Sequence, residues 1–283
     1  MTYGTYEASR TLGAPIHLYE FACGPQYFRY TDHEVAAVYL GNTFNPLPID
    51  RGKLVETGTM DKKQFSITLP HDCDIANLYL AYPPSDVTTV KIWAGHLGDP
   101  DDEFKVVYTG RVLSCTRKKS SATLTCEPVT TSMKRNGLRR RYQYGCPYVL
   151  YSEKCGASKA ANTVTSLVSD INGSRITLPG AWTAKPKAKY LDGIVSWTKT
   201  DGSTETRTIK RVESGGNVLL LSYLPTGLAA GMTVSVSLGC NHKAGIAAQA
   251  DGDCGPLFGN IVNFGGQPWI PFKNPIGVVN NYY

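Results

Sequence analysis

The chain has 283 residues, 29 Lys+Arg against 23 Asp+Glu for a formal net charge of +6, with 42% hydrophobic and only 18% charged residues. That balance excludes a disordered polyelectrolyte, and the length suits about two domains large enough to bury real cores. The modest basicity is compatible with nucleic acid nearby but equally suits a solvated surface.

Met1-Thr2-Tyr3-Gly4-Thr5-Tyr6-Glu7 shows neither the basic region nor the apolar core of a Sec-type signal. No stretch approaches the roughly 18 to 20 apolar residues of a membrane helix. The expected compartment is therefore the reducing cytoplasm, where eight cysteines read as core residues or ligands rather than as a disulfide framework.

A short helical signal at Tyr6-Glu7-Ala8-Ser9-Arg10 gives way near Pro15 to alternating β-branched and aromatic segments. Ile16–Phe21, Phe28–Thr31, Gln64–Leu69, Thr89–Trp93, Phe104–Tyr108 and Ala122–Cys126 read as short half-buried strands, which predicts a mainly β first domain over residues 1–133, a small barrel or sandwich. Lys134 to Tyr142, with Arg139-Arg140-Arg141, forms a basic linker that opens a segment over 134–159. Arginine forks suit phosphate, but with no aromatic platform nearby a solvated hinge is the stronger reading. An Ala-, Ser- and Thr-rich stretch follows from Ala157 to Asp170. Ser174–Leu178, Gly193–Trp197, Glu205–Ile209, Val218–Ser222 and Met232–Val236 then read as strands of an inserted β module over 160–238, with Ser214-Gly215-Gly216-Asn217 as a hairpin signal. Residues 239–283 complete the segment that the module interrupts.

Motifs of catalysis are missing: no Gly-x-Ser-x-Gly elbow, no phosphate-cradling glycine loop and no His-Glu-x-x-His, so no enzyme is expected. The histidines His17, His33, His71, His96 and His242 repeat at no ligand spacing. Asp99-Pro100-Asp101-Asp102-Glu103 lacks the glycine and terminal glutamate of a calcium loop and reads as an acidic turn.

The cysteines divide by position. Cys23, Cys73, Cys115 and Cys126 are spread through the first domain and read as core filler. Cys146 and Cys155, with eight residues between them, and Cys240 and Cys254, with thirteen between them, stand at the two borders of the inserted module with Gly, Pro or Asn beside them. Four thiolates can complete a tetrahedral zinc site or hold an iron–sulfur cubane. Neither pair is a Cys-x-x-Cys knuckle, which weakens zinc. Spacing alone leaves unligated cysteines the stronger reading.

Cys254-Gly255-Pro256-Leu257-Phe258-Gly259-Asn260, followed by Asn263-Phe264-Gly265-Gly266-Gln267-Pro268-Trp269-Ile270-Pro271, changes that balance. It resembles the closing signature of the tail-tip hub proteins of long-tailed phages and gene transfer agents, of the lambda tail-tip protein L type. Tyr30-Thr31-Asp32, the run Tyr39–Arg51 and Gly110–Ser114 resemble the opening strands and a later strand of that family. The resemblance does not reach residues 160–238.

It implies a virion structural protein, with a β-barrel hub domain followed by an iron–sulfur domain. Cys146, Cys155, Cys240 and Cys254 would hold a structural cluster, of [4Fe-4S] type, with zinc the alternative. It further implies a homotrimeric ring beneath the distal tail protein ring, connected to a central fibre and receptor-binding hub protein, with the tape measure protein as neighbour. DNA in the tail lumen could then touch Arg139-Arg140-Arg141. Gly265-Gly266 would supply backbone angles closed to other residues, while Phe264, Trp269 and Ile270 would wrap the cluster. The alternative outside this family is a zinc-stapled cytoplasmic β module that binds nucleic acid through the basic linker.

Overall fold

The structure is a computed structural model, and it describes residues 3–9, 11, 13–53, 65–134, 137, 142–213 and 215–270. Arg10, Gln64, Asn136, the Arg139-Arg140-Arg141 run, Ser214 and the tail from Pro271 lie outside the described residues. The chain divides into two compact units, Met1–Asn136 with Thr200–Thr204, and Gly137–Lys199 with Glu205–Tyr283. No helix among the described residues is long and apolar enough to cross a membrane.

The first unit opens with helix α1 (Tyr3–Ala8) and is otherwise a sheet of β1 (Pro15–Cys23), β2 (Gln26–Thr31), β3 (Ala37–Tyr39), β4 (Asn42–Pro46), β5 (Asp50–Arg51), β6 (Phe65–Pro70), β7 (Thr89–His96), β8 (Lys105–Arg117) and β9 (Ser121–Pro128), with helix α2 (Asp74–Asn77) after β6. The strand order is β3-β4-β2-β1-β7-β8-β9-β6-β5. The sheet is curled, and among the described residues its edge strands β3 and β5 are not paired with each other.

Alternation explains the core. β6 buries Phe65, Ile67 and Leu69, and β9 buries Ala122, Leu124 and Cys126, every second residue of each strand. These meet Tyr19, Phe21, Val90, Ile92 and the α2 residues Ile75 and Ala76 in one cluster. β1 is buried on both faces, because Leu18 points the other way into a second cluster with Phe44 and Trp93. The Phe44 and Trp93 rings meet edge-on at 6.0 Å. Phe104 packs against this cluster and lies so close to β7 that a Cβ on Gly95 would meet its ring at 2.4 Å. Strands β3 and β4 and helix α2 were not legible as elements, being three to five residues long and dependent on these contacts.

Cys23, Cys73 and Cys126 are buried and Cys115 is half-buried. Burial pushes the Cys126 thiol up to about 12, so it is an inert core group. Asp99 is buried and its carboxylate accepts the N–H groups of Asp101 (3.1 Å) and Glu103 (3.3 Å), so the acidic turn caps itself.

The second unit carries a sheet of β10 (Thr163–Leu167), β11 (Asp170–Asn172), β12 (Arg175–Thr177), β13 (Ile194–Thr198), β14 (Thr204–Val212), β15 (Val218–Leu221) and β16 (Thr233–Ser237), in the order β10-β16-β13-β14-β15-β12-β11. Trp182, Tyr190, Trp197, Leu219, Val234 and Val236 form its core, and Leu257 and Phe258 from the C-terminal segment pack against it. Both buried indoles are satisfied, Trp182 Nε1 by the Gly216 carbonyl (3.0 Å) and Trp197 Nε1 by that of Thr226 (3.1 Å). Edge strand β10 lies within the Ala-, Ser- and Thr-rich stretch and β11 begins at its end; an edge strand with few buried positions carries little periodicity.

A polar link ties the first unit's strands together. Asp32 accepts the His17 main-chain N–H (2.8 Å) and faces His17 Nδ1 at 2.7 Å, while Arg51 Nη2 lies 2.7 Å from His17 Nε2. Arginine can only donate, so Nε2 is the acceptor and Nδ1 carries the proton given to Asp32. Burial alone would raise the Asp32 pKa, but these bonds from His17 together hold it below the ordinary carboxylate value. A depressed carboxyl contributes stability that is present above its unfolded pKa and lost as pH falls through the folded one. Asp32→Asn is expected to cost about 1.5–3 kcal/mol at neutral pH. In thermal melts across a pH series, that gap should close below the unfolded aspartate value of about 3.9. A gap that does not change with pH would show that the charge is not what holds the link.

Candidate functional site

All four border cysteines, Cys146, Cys155, Cys240 and Cys254, line one small cavity of the second unit, alongside Tyr148, Leu150, Phe258 and His242. The first-domain cysteines are absent from its wall. Among the described residues no three His, Cys, Asp or Glu side chains are drawn together tightly enough to hold a metal ion as they stand.

Each cysteine has its own support. The Cys146 N–H donates to the His242 carbonyl (2.8 Å), and the Cys146 carbonyl accepts from His242 Nδ1 (3.1 Å). Buried Gln249 extends this lacing, since its Nε2 donates to the Tyr144 carbonyl (2.9 Å) and its Oε1 accepts the Ala244 N–H (2.6 Å). Cys155 closes a turn in which its N–H meets Ser152 Oγ (3.3 Å) and the Gly156 N–H meets the Ser152 carbonyl (2.9 Å).

Cys240 and Cys254 are set side by side by their neighbours. Asn241 Oδ1 accepts the Asp253 N–H (3.1 Å) while Asp253 Oδ2 accepts the Asn241 N–H (3.0 Å). Lys189, in the 3-10 turn Lys187–Tyr190, donates to Asp253 Oδ1 at 2.5 Å, and its carbonyl accepts the Gly239 N–H (2.9 Å). The module thus grips both sides of the cysteine pair.

His242 stands at φ +57°, a left-handed angle uncommon outside glycine, and its main-chain N–H donates to Cys240 Sγ at 3.3 Å. Burial raises the Cys240 thiol pKa, with Asp253, Cys146 and Cys155 adding to it. Cys254 is pushed up to about 11, first by burial and then by Cys240, Cys146 and Cys155. For Cys240 and Cys254 burial and neighbouring sulfurs thus disfavour the thiolate form, and a cation in the cavity would reverse that balance.

Two expectations about the closing signature need correction. Trp269 is 71% exposed and does not wrap the cavity; Tyr148, Leu150 and Phe258 provide its apolar wall. Gly265 and Gly266 are not among the positive-φ glycines, and their role is close approach. A Cβ on Gly265 would meet the Tyr148 ring at 2.6 Å, and one on Gly266 would meet the Gly145 carbonyl carbon at 2.7 Å. Gly259, at φ +60° with open space around it, is the residue that needs the angle. Sequence reasoning also missed His242, Asn241, Asp253 and Lys189. The adjacency of Asn241, His242 and Asp253 to Cys240 and Cys254 was visible, but the reciprocal pairing and the reach of Lys189 to Asp253 were not.

Residues 20–158 match the family model described as baseplate hub protein, N-terminal attachment domain, and residues 188–274 match the one described as phage conserved hypothetical protein BR0599. A curated protein of Xylella fastidiosa (strain 9a5c), described only as uncharacterized, is 26% identical over 220 residues, covering 70% of this chain and 45% of its own length. The chain thus spans less than half the length of that relative. In fold, it matches a chain from the virion of a native gene transfer agent (GTA) particle with a TM-score of 0.74 and 18% identity, over 99% of this chain and 97% of that one. Residues 20–158 thus resemble a baseplate hub attachment domain, and the chain shares a mainly β fold with that virion chain.

The two glycine roles separate experimentally. Gly265→Ala should lower stability by about 1–3 kcal/mol through overpacking against Tyr148, whereas Gly259→Asn, which tolerates the left-handed region, should stay within about 1 kcal/mol. Thermal melts of both variants check this; the reverse order would refute the assignment.

Proposed function

We propose that this chain is a non-enzymatic structural component of the tail-tip or baseplate hub of a tailed phage or gene-transfer-agent particle, and that Cys146, Cys155, Cys240 and Cys254 hold a structural iron–sulfur cluster of the [4Fe-4S] type, with zinc as the alternative. The observation that carries the second half is the convergence of these four thiols, from two borders of an inserted module, on one cavity. The donor set fits: four sulfurs, an N–H already aimed at Cys240 Sγ, and an apolar wall.

When bound, such a centre would supply ligation energy, which in sites of this kind is folding energy. The chain's own residues do the rest. Cys146 and Cys155 come from the segment before the module and Cys240 and Cys254 from the one after it, so common ligation staples the base of the insertion. In the particle the chain forms a three-fold ring below the distal tail ring. There it connects to the central fibre and receptor-binding hub protein, near the tape measure protein, and Arg139-Arg140-Arg141 faces DNA in the lumen. Support for this assembly is the attachment-domain match over residues 20–158 and the shared fold with the gene-transfer-agent virion chain.

Purification without oxygen should yield brown protein with broad visible absorbance, iron and acid-labile sulfide. Stoichiometric zinc without iron would overturn the cluster. Cys146→Ser or Cys254→Ser should abolish iron binding while Cys115→Ser leaves it intact, and equal loss at Cys115 and Cys146 would sink the division of the cysteines. DNA ejection unaltered by replacing all three linker arginines with serine would remove the lumen contact.

A further inference from the structure

We infer that Asn260 is the positioning residue that joins Cys155 to Cys254 across the site, and that its side-chain amide donates to the Cys155 sulfur; this rests on the cluster reading above.

Asn260 touches both cysteines through different groups. Its main-chain N–H donates to the Cys254 carbonyl (2.9 Å), and its own carbonyl accepts the Cys254 S–H (3.3 Å). Its side-chain Nδ2 donates to the Cys155 carbonyl (2.5 Å) and lies 3.8 Å from Cys155 Sγ. The amide cannot be turned round. Its Oδ1 accepts from Asn263 Nδ2 at 2.7 Å, so reversing it would set donor against donor and oxygen against oxygen. Asn260 begins the 3-10 turn Ile261–Asn263, yet it gives that turn no side-chain cap; the side chain is spent on Cys155 instead.

Gly156 completes the arrangement. It stands at φ +68°, and a Cβ there would meet Asn263 Nδ2 at 2.8 Å. The glycine after Cys155 is therefore the seat of Asn263, which orients Asn260, which holds Cys155. This accounts for the three-residue spacing of the two asparagines in the closing signature.

On ligation Cys254 gives up its S–H bond, so the side-chain tether to Cys155 and the main-chain bond to the Cys254 carbonyl remain. A donor to a ligating sulfur draws off charge, favours the reduced centre and raises its potential. Outer-shell partners of this kind typically contribute 10- to 100-fold in metal affinity.

The test compares wild type, Asn260→Asp, which keeps size but replaces the donor with an acceptor, and Asn263→Ala, which leaves residue 260 intact but frees its amide. After anaerobic reconstitution, N260D should show about 10- to 100-fold weaker iron retention against a chelator and a more negative midpoint potential for the remaining centre, with N263A between it and wild type. Wild-type retention and potential in both variants would overturn the inference. In metal-free protein, thiol labelling followed by peptide mapping should find Cys155 reacting several-fold faster in both variants than in wild type, with Cys240 unchanged; equal Cys155 rates would overturn the positioning role. Wild-type protein that takes up no iron or sulfide refutes the cluster reading, and the labelling arm still decides whether Asn260 positions Cys155. If N260D fails to fold, N263A carries both measurements.

Discussion

The second unit depends on holding the stretches that carry Cys240 and Cys254 side by side, and the reciprocal pair of Asn241 and Asp253 is the interaction that does it. Two side-chain oxygens satisfy two main-chain N–H groups, each belonging to the other's residue, so neither segment can shift without stranding a donor. Asp253 is only 6% exposed, and a buried carboxylate needs a cation as well as hydrogen bonds. Lys189 meets that need, and its position is not incidental. Its neighbour Tyr190 is fully buried, 4.5 Å from the Trp182 ring, so the ammonium is delivered by the core of the inserted sheet.

Two strained backbone positions stand close to the sulfurs. Tyr151 (φ +63°) and His242 (φ +57°) both occupy the left-handed region near the cavity, a cost of about 1–3 kcal/mol each. Each is held by bonds that require it. The Tyr151 hydroxyl donates to the Leu238 carbonyl (2.9 Å), and His242 is bonded through its N–H, its carbonyl and its ring to Cys240 and Cys146. For His242 the result is an amide dipole aimed at a sulfur, which an ordinary extended or helical residue at that position would not supply.

Much of this was legible in the residues. Ile16–Phe21, Gln64–Leu69 and Ala122–Cys126 announced themselves because half-buried strands repeat every second residue, and the structure places strands over Ile16–Phe21, Phe65–Leu69 and Ala122–Cys126. The grouping of Cys146, Cys155, Cys240 and Cys254 apart from Cys23, Cys73, Cys115 and Cys126 was legible from flanking Gly, Pro and Asn. What stayed hidden was whatever required two distant segments at once: Leu18 and Trp93 meeting beneath Phe44, Lys189 reaching Asp253, and Asn260 reaching Cys155. Gly265 and Gly266 were legible as special, but for the wrong reason, since one sequence cannot distinguish a glycine needed for its angle from one needed for its missing side chain.

The inserted module could be regarded as an ornament on a cysteine domain, and the packing argues against that. Leu257 and Phe258 sit three and four residues after Cys254, and both pack against the module's own core. Phe258 also lines the sulfur cavity and meets the Tyr151 ring edge-on at 6.2 Å. One aromatic side chain therefore belongs to the module's core and to the cavity wall together. With Lys189 gripping Asp253 from the same module, the sheet and the cysteine site are two faces of one packed body. Removing the module would take away the cation that neutralises Asp253 and the apolar surface beneath Phe258, leaving the four cysteines without the support that brings them together.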